Sequence, residues 1–179
     1  MTLSAWHEEP VAKKHPRDTF NCGDTDLNTY LQKFARQNHE NGGAKTFVAI
    51  GDADGRVLGF YSLTPATARY GQTPENIRKG LPHHDVPGYR LARLATDLTV
   101  QGQGLGGQLL LAAGRRCLRA ATEVGGVALY IDAKNDDAAA WYASFGAERL
   151  AGAMAGVLPI PMVVALKTIA AALAAAEKR

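Results

Sequence analysis

The sequence predicts a mixed α/β fold, a partly parallel sheet covered on both faces by helices. Two apolar runs early in the chain, joined by a Gly- and Asp-rich turn, read as neighbouring strands. Later runs of the same kind alternate with stretches of helical period, which points to a mixed, partly parallel sheet. A length of 179 residues suits a single domain, 1–179, with a real core.

Asp24 or Thr25 caps a first helix, in which Leu27, Tyr30, Leu31, Phe34 and Ala35 recur at helical spacing. Lys33 and Arg36 fall on its other side, and Asn41-Gly42-Gly43 stops it. Thr46 to Ile50 and Arg56 to Leu63 are strands across the turn Gly51 to Gly55. A long Pro- and Gly-bearing connection, Thr64 to Gly88, follows with a short helix at Pro74; connections of this length commonly form binding loops. Arg90 to Leu98 is the next strand. A helix from about Gln103 to Val124 then aligns Leu105, Leu109, Ala113, Cys117 and Ala121 on one stripe before Gly125-Gly126 ends it. Val127 to Ile131 is a compact apolar strand. Beyond a helix around Tyr142 come strands near Glu148 to Leu150 and Ile160 to Leu166. The Ala-rich tail, about 168–179, reads as a terminal helix whose Lys178 and Arg179 suit its dipole.

The most informative stretch lies between the Arg90 strand and the long helix: Gln101-Gly102-Gln103-Gly104-Leu105-Gly106-Gly107. Glycines let a backbone approach a ligand closely, and the unpaired N–H groups of a helix start attract anions. The expectation is a backbone cradle for a phosphate or pyrophosphate. Two known loops share this spelling. Gly102-x-Gly104-x-x-Gly107 matches the dinucleotide fingerprint, with Asp132 as ribose ligand. Gln101-x-x-Gly104-x-Gly106 matches the pyrophosphate loop of the GNAT acetyltransferases. Only a short tail follows Gly107, whereas the dinucleotide motif opens a large doubly wound domain. Asp97 would also lie in that fold's first buried strand, where a charge is costly.

A second motif decides between them. Asn135-x-x-Ala138-x-x-x-Tyr142-x-x-x-Gly146 resembles the signature after the fifth strand of GNAT enzymes, although Ala147 stands where the family has Phe. Asn135 is a good N-cap, Asp136 and Asp137 suit the first turn, and Ala138 lies one turn from Tyr142 on the same face. Phe145 is expected to fill the volume of the missing Phe. The resemblance implies the GNAT fold, with a central, mostly antiparallel mixed sheet, and acetyl-CoA as acetyl donor. It assigns Gln101, Gly102, Gln103, Gly104, Leu105, Gly106, Gly107 and Asn135 to that cofactor. Leu94, Ala95 and Thr96 would offer it strand-edge backbone bonds.

The amino-terminal half narrows the resemblance. Phe20-Asn21-Cys22-Gly23, Leu27-Asn28-x-x-Leu31, Ala35-Arg36-Gln37-Asn38 and Leu91-Ala92-Arg93-Leu94-Ala95-x-Asp97 look like one GNAT group. That group is the acetyltransferase toxins of bacterial type II toxin–antitoxin systems. The likeness spans roughly residues 17 to 165 and implies acetylation of the α-amino group of aminoacyl-tRNA, which blocks translation. It further implies a ribbon–helix–helix antitoxin, a homodimer and a cytoplasmic setting, and it places Lys33, Arg36 and Arg93 against RNA. Such cations supply affinity through phosphates rather than sequence choice.

Tyr142 is the expected catalytic residue, since a phenol can donate a hydrogen bond or proton to the departing thiolate of CoA. With ordinary pKa values of about 10 and 8.5, full transfer is uphill by roughly 2 kcal/mol in water. Asp97, Asp132 and Asp136 are candidate general bases, none distinguished. An aminoacyl ester amine is partly neutral near pH 7 and can dispense with one.

The remaining features argue mainly by exclusion. A net charge of +3 is compatible with an anionic cofactor or nucleic acid without specifying either. The two cysteines, Cys22 and Cys117, set up neither a disulfide framework nor a metal site, and no metal is expected. Adjacent side chains on an extended strand point apart, so His83-His84-Asp85 reads as loop rather than chelate. Arg115 and Arg119 are solvated helix surface. Trp6-His7-Glu8-Glu9 interrupts any leader peptide, and no apolar run could cross a membrane. Two other functions stay open here: a GNAT enzyme acting on a small-molecule amine or protein amino group, and a binding protein that keeps the loop without catalysis.

Overall fold

A computed structural model describes residues 2–179. It contains a seven-stranded sheet in the order β1-β2-β3-β4-β5-β7-β6. The strands are β1 (Trp6–Pro10), β2 (Lys45–Gly51), β3 (Val57–Ala68), β4 (Val86–Thr96), β5 (Ala128–Ala133), β6 (Glu148–Arg149) and β7 (Ile160–Ala165). β4 and β5 pair in parallel, Gly88–Leu91 against Ala128–Ile131, while β1-β2, β2-β3, β5-β7 and β6-β7 are antiparallel. The helices are α1 (Thr25–Thr29), α2 (Ala35–Asn41), α3 (Glu75–Arg78), α4 (Leu105–Val124), α5 (Asp136–Ala143) and α6 (Leu166–Glu177).

The chain packs into two compact units, one of residues 2–64 and 92–113, the other of residues 65–91 and 114–179. In the first, Asp24 caps α1 by accepting from the N–H groups of Asp26 and Leu27. The helical stretch packs Tyr30, Leu31 and Ala35 onto Val48 and Phe60 of β2 and β3. Gly59 is required there, because a Cβ would stand 2.9 Å from the Ala95 carbonyl oxygen of β4. The β2-β3 turn closes with the Gly51 N–H donating to the Arg56 carbonyl at 2.9 Å, and Gly55 takes a φ of +71°. In the second unit, Ile77, Val86, Ala128, Tyr130, Val163 and Ala165 form a core. The Tyr130 hydroxyl donates to the Val86 carbonyl at 2.6 Å, satisfying the one polar atom of a ring that is 1% exposed.

Several boundaries differ from the sequence reading for identifiable reasons. β1 was hidden because Trp6-His7-Glu8-Glu9 lacks apolar alternation; Glu9 is held by Lys14 at 2.8 Å and His7 by Asp52 at 2.6 Å. β3 runs on to Ala68, into the expected connection, and β4 begins four residues before Arg90. Phe34 leaves the apolar stripe. Between α1 and α2, Tyr30–Phe34 forms a π-turn, marked by the Ala35 N–H donating to the Tyr30 carbonyl, and Phe34 is 55% exposed. Phe145 likewise does not fill a core volume: it is 37% exposed, and Ala147 itself is buried.

Candidate active site

The glycine loop forms as its composition requires. Asp97 starts a short 3-10 turn over Leu98–Val100, and Gly102 and Gly104 then adopt φ values of +79° and +90°. Both are exposed, and nothing stands within 4 Å of where a Cβ would be, so the backbone there is open to close approach. Leu105 is 1% exposed and anchors the start of α4, so only its backbone can face a ligand. Gly106 and Gly107 follow in the first turn of α4, whose leading N–H groups have no intrahelical acceptor. Positive-φ glycines, open space and a helix N-terminus are the features that an anion cradle requires.

Two side chains brace the loop from behind, and they link sequence blocks nearly eighty residues apart. Gln101 donates through Nε2 to the carbonyls of Thr96 at 2.9 Å and Cys22 at 3.0 Å. Asp97, 3% exposed, accepts from the Asn21 N–H at 2.9 Å, the Thr99 N–H at 3.0 Å and the Thr99 hydroxyl at 2.7 Å. The Leu98 N–H returns a bond to the Asn21 carbonyl at 2.8 Å. Desolvation alone would raise the Asp97 carboxyl, but these donors, with Arg56 at 3.7 Å, hold it below the ordinary carboxylate value. Asp97 is therefore a latch. The sequence displays both halves, Asn21 and Asp97, without showing that they meet. Gln103 reaches the Thr99 carbonyl at 3.4 Å, and along β4 Ala95 is buried while Leu94 and Thr96 are half-buried.

In the second unit Asn135 caps α5, its Oδ1 accepting from the Ala138 N–H at 2.8 Å. Tyr142 sits one residue from the end of that helix and is half-buried. Burial pushes its phenol up to about 12. The Trp141 ring meets Tyr142 edge-on at 5.0 Å and Phe145 at 4.9 Å. Gly146, at φ +96°, lets the chain leave the helix.

The other candidate bases are also engaged, Asp132 with Arg90 at 2.6 Å and Asp136 with Arg149 at 3.4 Å. Among the expected cations, Lys33 is exposed, whereas Arg36 pairs with Glu40 at 3.2 Å. Arg93 stacks its guanidinium 3.6 Å over the Tyr30 ring, an arrangement the sequence did not suggest. Arg115 and Arg119 are exposed. Cys117 is buried, and desolvation raises its thiol to about 12, so it is an inert packing residue. His83 stacks on Tyr70 at 4.3 Å, and no group of three His, Cys, Asp or Glu side chains able to hold a metal occurs among the described residues. Nor is any helix among them long and apolar enough to cross a membrane.

Comparison with known proteins agrees with this geometry. Residues 7–147 match the acetyltransferase (GNAT) family. A tRNA-acetylating toxin of Mycobacterium tuberculosis is 40% identical over 130 residues, covering 73% of this chain and 76% of that protein. Among solved structures, AtaT complexed with acetyl-methionyl-tRNAfMet superposes with a TM-score of 0.85 at 25% identity, over 94% of this chain and 99% of AtaT. A tyrosine-to-phenylalanine mutant of KacT gives 0.83 at 26% identity, over 93% of this chain and 98% of KacT. With its mixed seven-stranded sheet and glycine loop before α4, the chain belongs to the GNAT family of acetyl-CoA-dependent acetyltransferases.

Proposed function

We propose that this enzyme transfers the acetyl group of acetyl-CoA to the α-amino group of aminoacyl-tRNA and so acts as a translation-blocking toxin. The observation that carries this reading most directly is the 40% identity with the tRNA-acetylating toxin of Mycobacterium tuberculosis. Supporting it from chemistry, none of the three expected carboxylates stands apart as a base: Asp97 is held in its latch, Asp132 pairs with Arg90, and Asp136 is an exposed first-turn residue near Arg149. A site with no distinguished carboxylate base suits an amine that is already partly neutral. An α-amine has a pKa of about 7.7–8.0, lowered further by an adjacent ester, whereas a lysine stands near 10.4.

In this reading the Gln101–Gly107 backbone binds the pyrophosphate, with Gln101 bracing the loop and Asn135 shaping the start of α5. Leu94, Ala95 and Thr96 align the pantetheine arm along β4. As substrate, acetyl-CoA supplies a thioester carbonyl open to attack by a neutral amine. The amine nitrogen forms the new C–N bond, the C–S bond breaks, and the amine proton passes to water. Tyr142 donates a hydrogen bond to the departing sulfur, which leaves as the CoA thiolate. Because the pKa of the phenol is about 12 against an ordinary thiol near 8.5, full proton transfer is uphill by about 5 kcal/mol, and hydrogen-bond donation is the role assigned.

Lys33 and Arg93 contact RNA phosphates, with Arg36 contributing when Glu40 releases it. The setting is cytoplasmic, where charged tRNA and acetyl-CoA coexist. A ribbon–helix–helix antitoxin and a second copy of the chain are the expected protein partners. The test is acetylation of purified charged tRNA against small amines and lysine peptides. Transfer confined to a small amine or a peptide would replace this reading with the wider GNAT alternatives.

A further inference from the structure

Phe34 is the one ring of the first helical stretch turned toward solvent. In an unbroken α-helix it would lie one turn beyond Tyr30, which is 6% exposed, and would continue the buried face. The π-turn inserts an extra residue at Tyr30–Phe34 and rotates Phe34 outward, to 55% exposure, while Ala35 resumes burial at 0%. π-turns of this kind are frequent at functional sites. The Tyr30 end of the turn is held firmly. Its ring lies under the Arg93 guanidinium at 3.6 Å and stacks with Phe60 at 6.3 Å, and its hydroxyl accepts from Asn38 at 3.0 Å.

The surroundings indicate what covers the ring. From Leu27 to His39 the chain has no carboxylate, and Lys33, directly before Phe34, is exposed. Two acids bound the stretch: Asp26, exposed in the first turn of α1, and Glu40, which is paired with Arg36. An exposed ring beside an unpaired cation, on a segment without negative charge, matches a single-stranded polynucleotide: bases stack on the ring and phosphates meet the cation. Through Arg93 the same turn is tied to β4, next to Leu94–Thr96.

We propose that Phe34 is a stacking platform for an unpaired base in the single-stranded 3′ end of charged tRNA, with Lys33 holding a neighbouring phosphate. The assignment rests on the aminoacyl-tRNA reading above and adds a substrate-positioning residue to it. The experiment compares the native chain with Phe34→Ala, Phe34→Leu and Phe34→Trp on charged tRNA. It also follows the salt dependence of kcat/KM, acetyl-CoA affinity and neutralisation by the antitoxin. Base stacking removed by alanine lowers kcat/KM about 5- to 150-fold. Leu should fall with Ala, and Trp should retain activity, because a π-face rather than bulk is needed. The salt slope and acetyl-CoA affinity should not move, since no charge is lost. Equal kcat/KM for Phe34→Ala and the native chain would overturn the platform. So would a Leu variant as active as native, or loss of antitoxin neutralisation with tRNA acetylation intact. Failure of the native chain to acetylate any charged tRNA would instead overturn the underlying reading, a result distinct from all of these.

Discussion

Replacing Tyr142 by Phe removes one oxygen and leaves the ring. The structure gives that hydroxyl no protein hydrogen-bond partner, and burial alone raises its pKa to about 12. Nothing in the fold is orphaned by the change, so unfolding free energy should move by less than about 1 kcal/mol. Acetyl-CoA affinity should be unchanged, because the phenol acts on sulfur as it departs. Loss of a donor that acts in the transition state typically lowers rate about 100- to 10,000-fold, equivalent to about 3–5 kcal/mol of barrier. Single-turnover transfer of labelled acetyl to charged tRNA, at saturating concentrations of both substrates, separates this loss from binding. Collapse of the turnover number with KM nearly constant is expected, together with loss of growth arrest. A Phe variant turning over within twofold of native would assign Tyr142 to packing and refute the reasoning.

Burial of the Tyr142 phenol also bears on the pH profile. With the phenol protonated up to about 12, activity should rise as the substrate amine deprotonates and then stay flat to about pH 9, with no alkaline limb from Tyr142. Single-turnover rates from pH 6 to 9, corrected for the charged tRNA lost to ester hydrolysis, check this; a corrected rate that falls above pH 8 without unfolding would contradict it. Gly104→Val places a β-branched residue at φ +90°, into the space over the loop, and should abolish measurable acetyl-CoA binding by calorimetry while the chain still folds. Asp97→Asn turns one acceptor atom into a donor facing the N–H groups of Asn21 or Thr99, and should lower stability by about 2–4 kcal/mol by denaturant titration at neutral pH. Since the carboxyl of Asp97 is held below its ordinary value of 3.8, its contribution is present above that pH and lost on acidification; the Asn variant should lose less stability there than native. Lys33→Glu should weaken tRNA binding and reduce the slope of log K against log salt by about 0.7–0.9 for the lost phosphate contact, with acetyl-CoA binding intact.

Periodicity and glycine placement made most of the fold legible. The long amphipathic stripe of α4, the caps at Asp24 and Asn135 and the loop before Leu105 are local features, written where they act. What escaped was set by distant partners or by backbone irregularity. β1 carries charges because Lys14 and Asp52 meet Glu9 and His7 from elsewhere in the chain. Phe34 obeys helical spacing in the sequence, and one inserted residue in the turn undoes it. The loop's spelling points to Gln101 through its backbone N–H, and it does not show that the side-chain amide braces the carbonyls of Thr96 and Cys22. Asp97 stood among the possible bases because a lone sequence cannot show that Asn21 and Thr99 already occupy its oxygens. Tyr142 was legible as a candidate, but its raised pKa depends on the packing around it and turns the expected donor toward hydrogen bonding rather than full proton transfer.

The most direct test of the proposed activity supplies the purified enzyme with labelled acetyl-CoA, total charged tRNA, free amino acids and a lysine-rich protein in one reaction. Nuclease digestion and mass analysis then locate the label. The account predicts N-acetyl-aminoacyl-adenosine as the labelled product, absent when Tyr142 is replaced by Phe. Label on free amine or protein, with none released from the RNA, would contradict it.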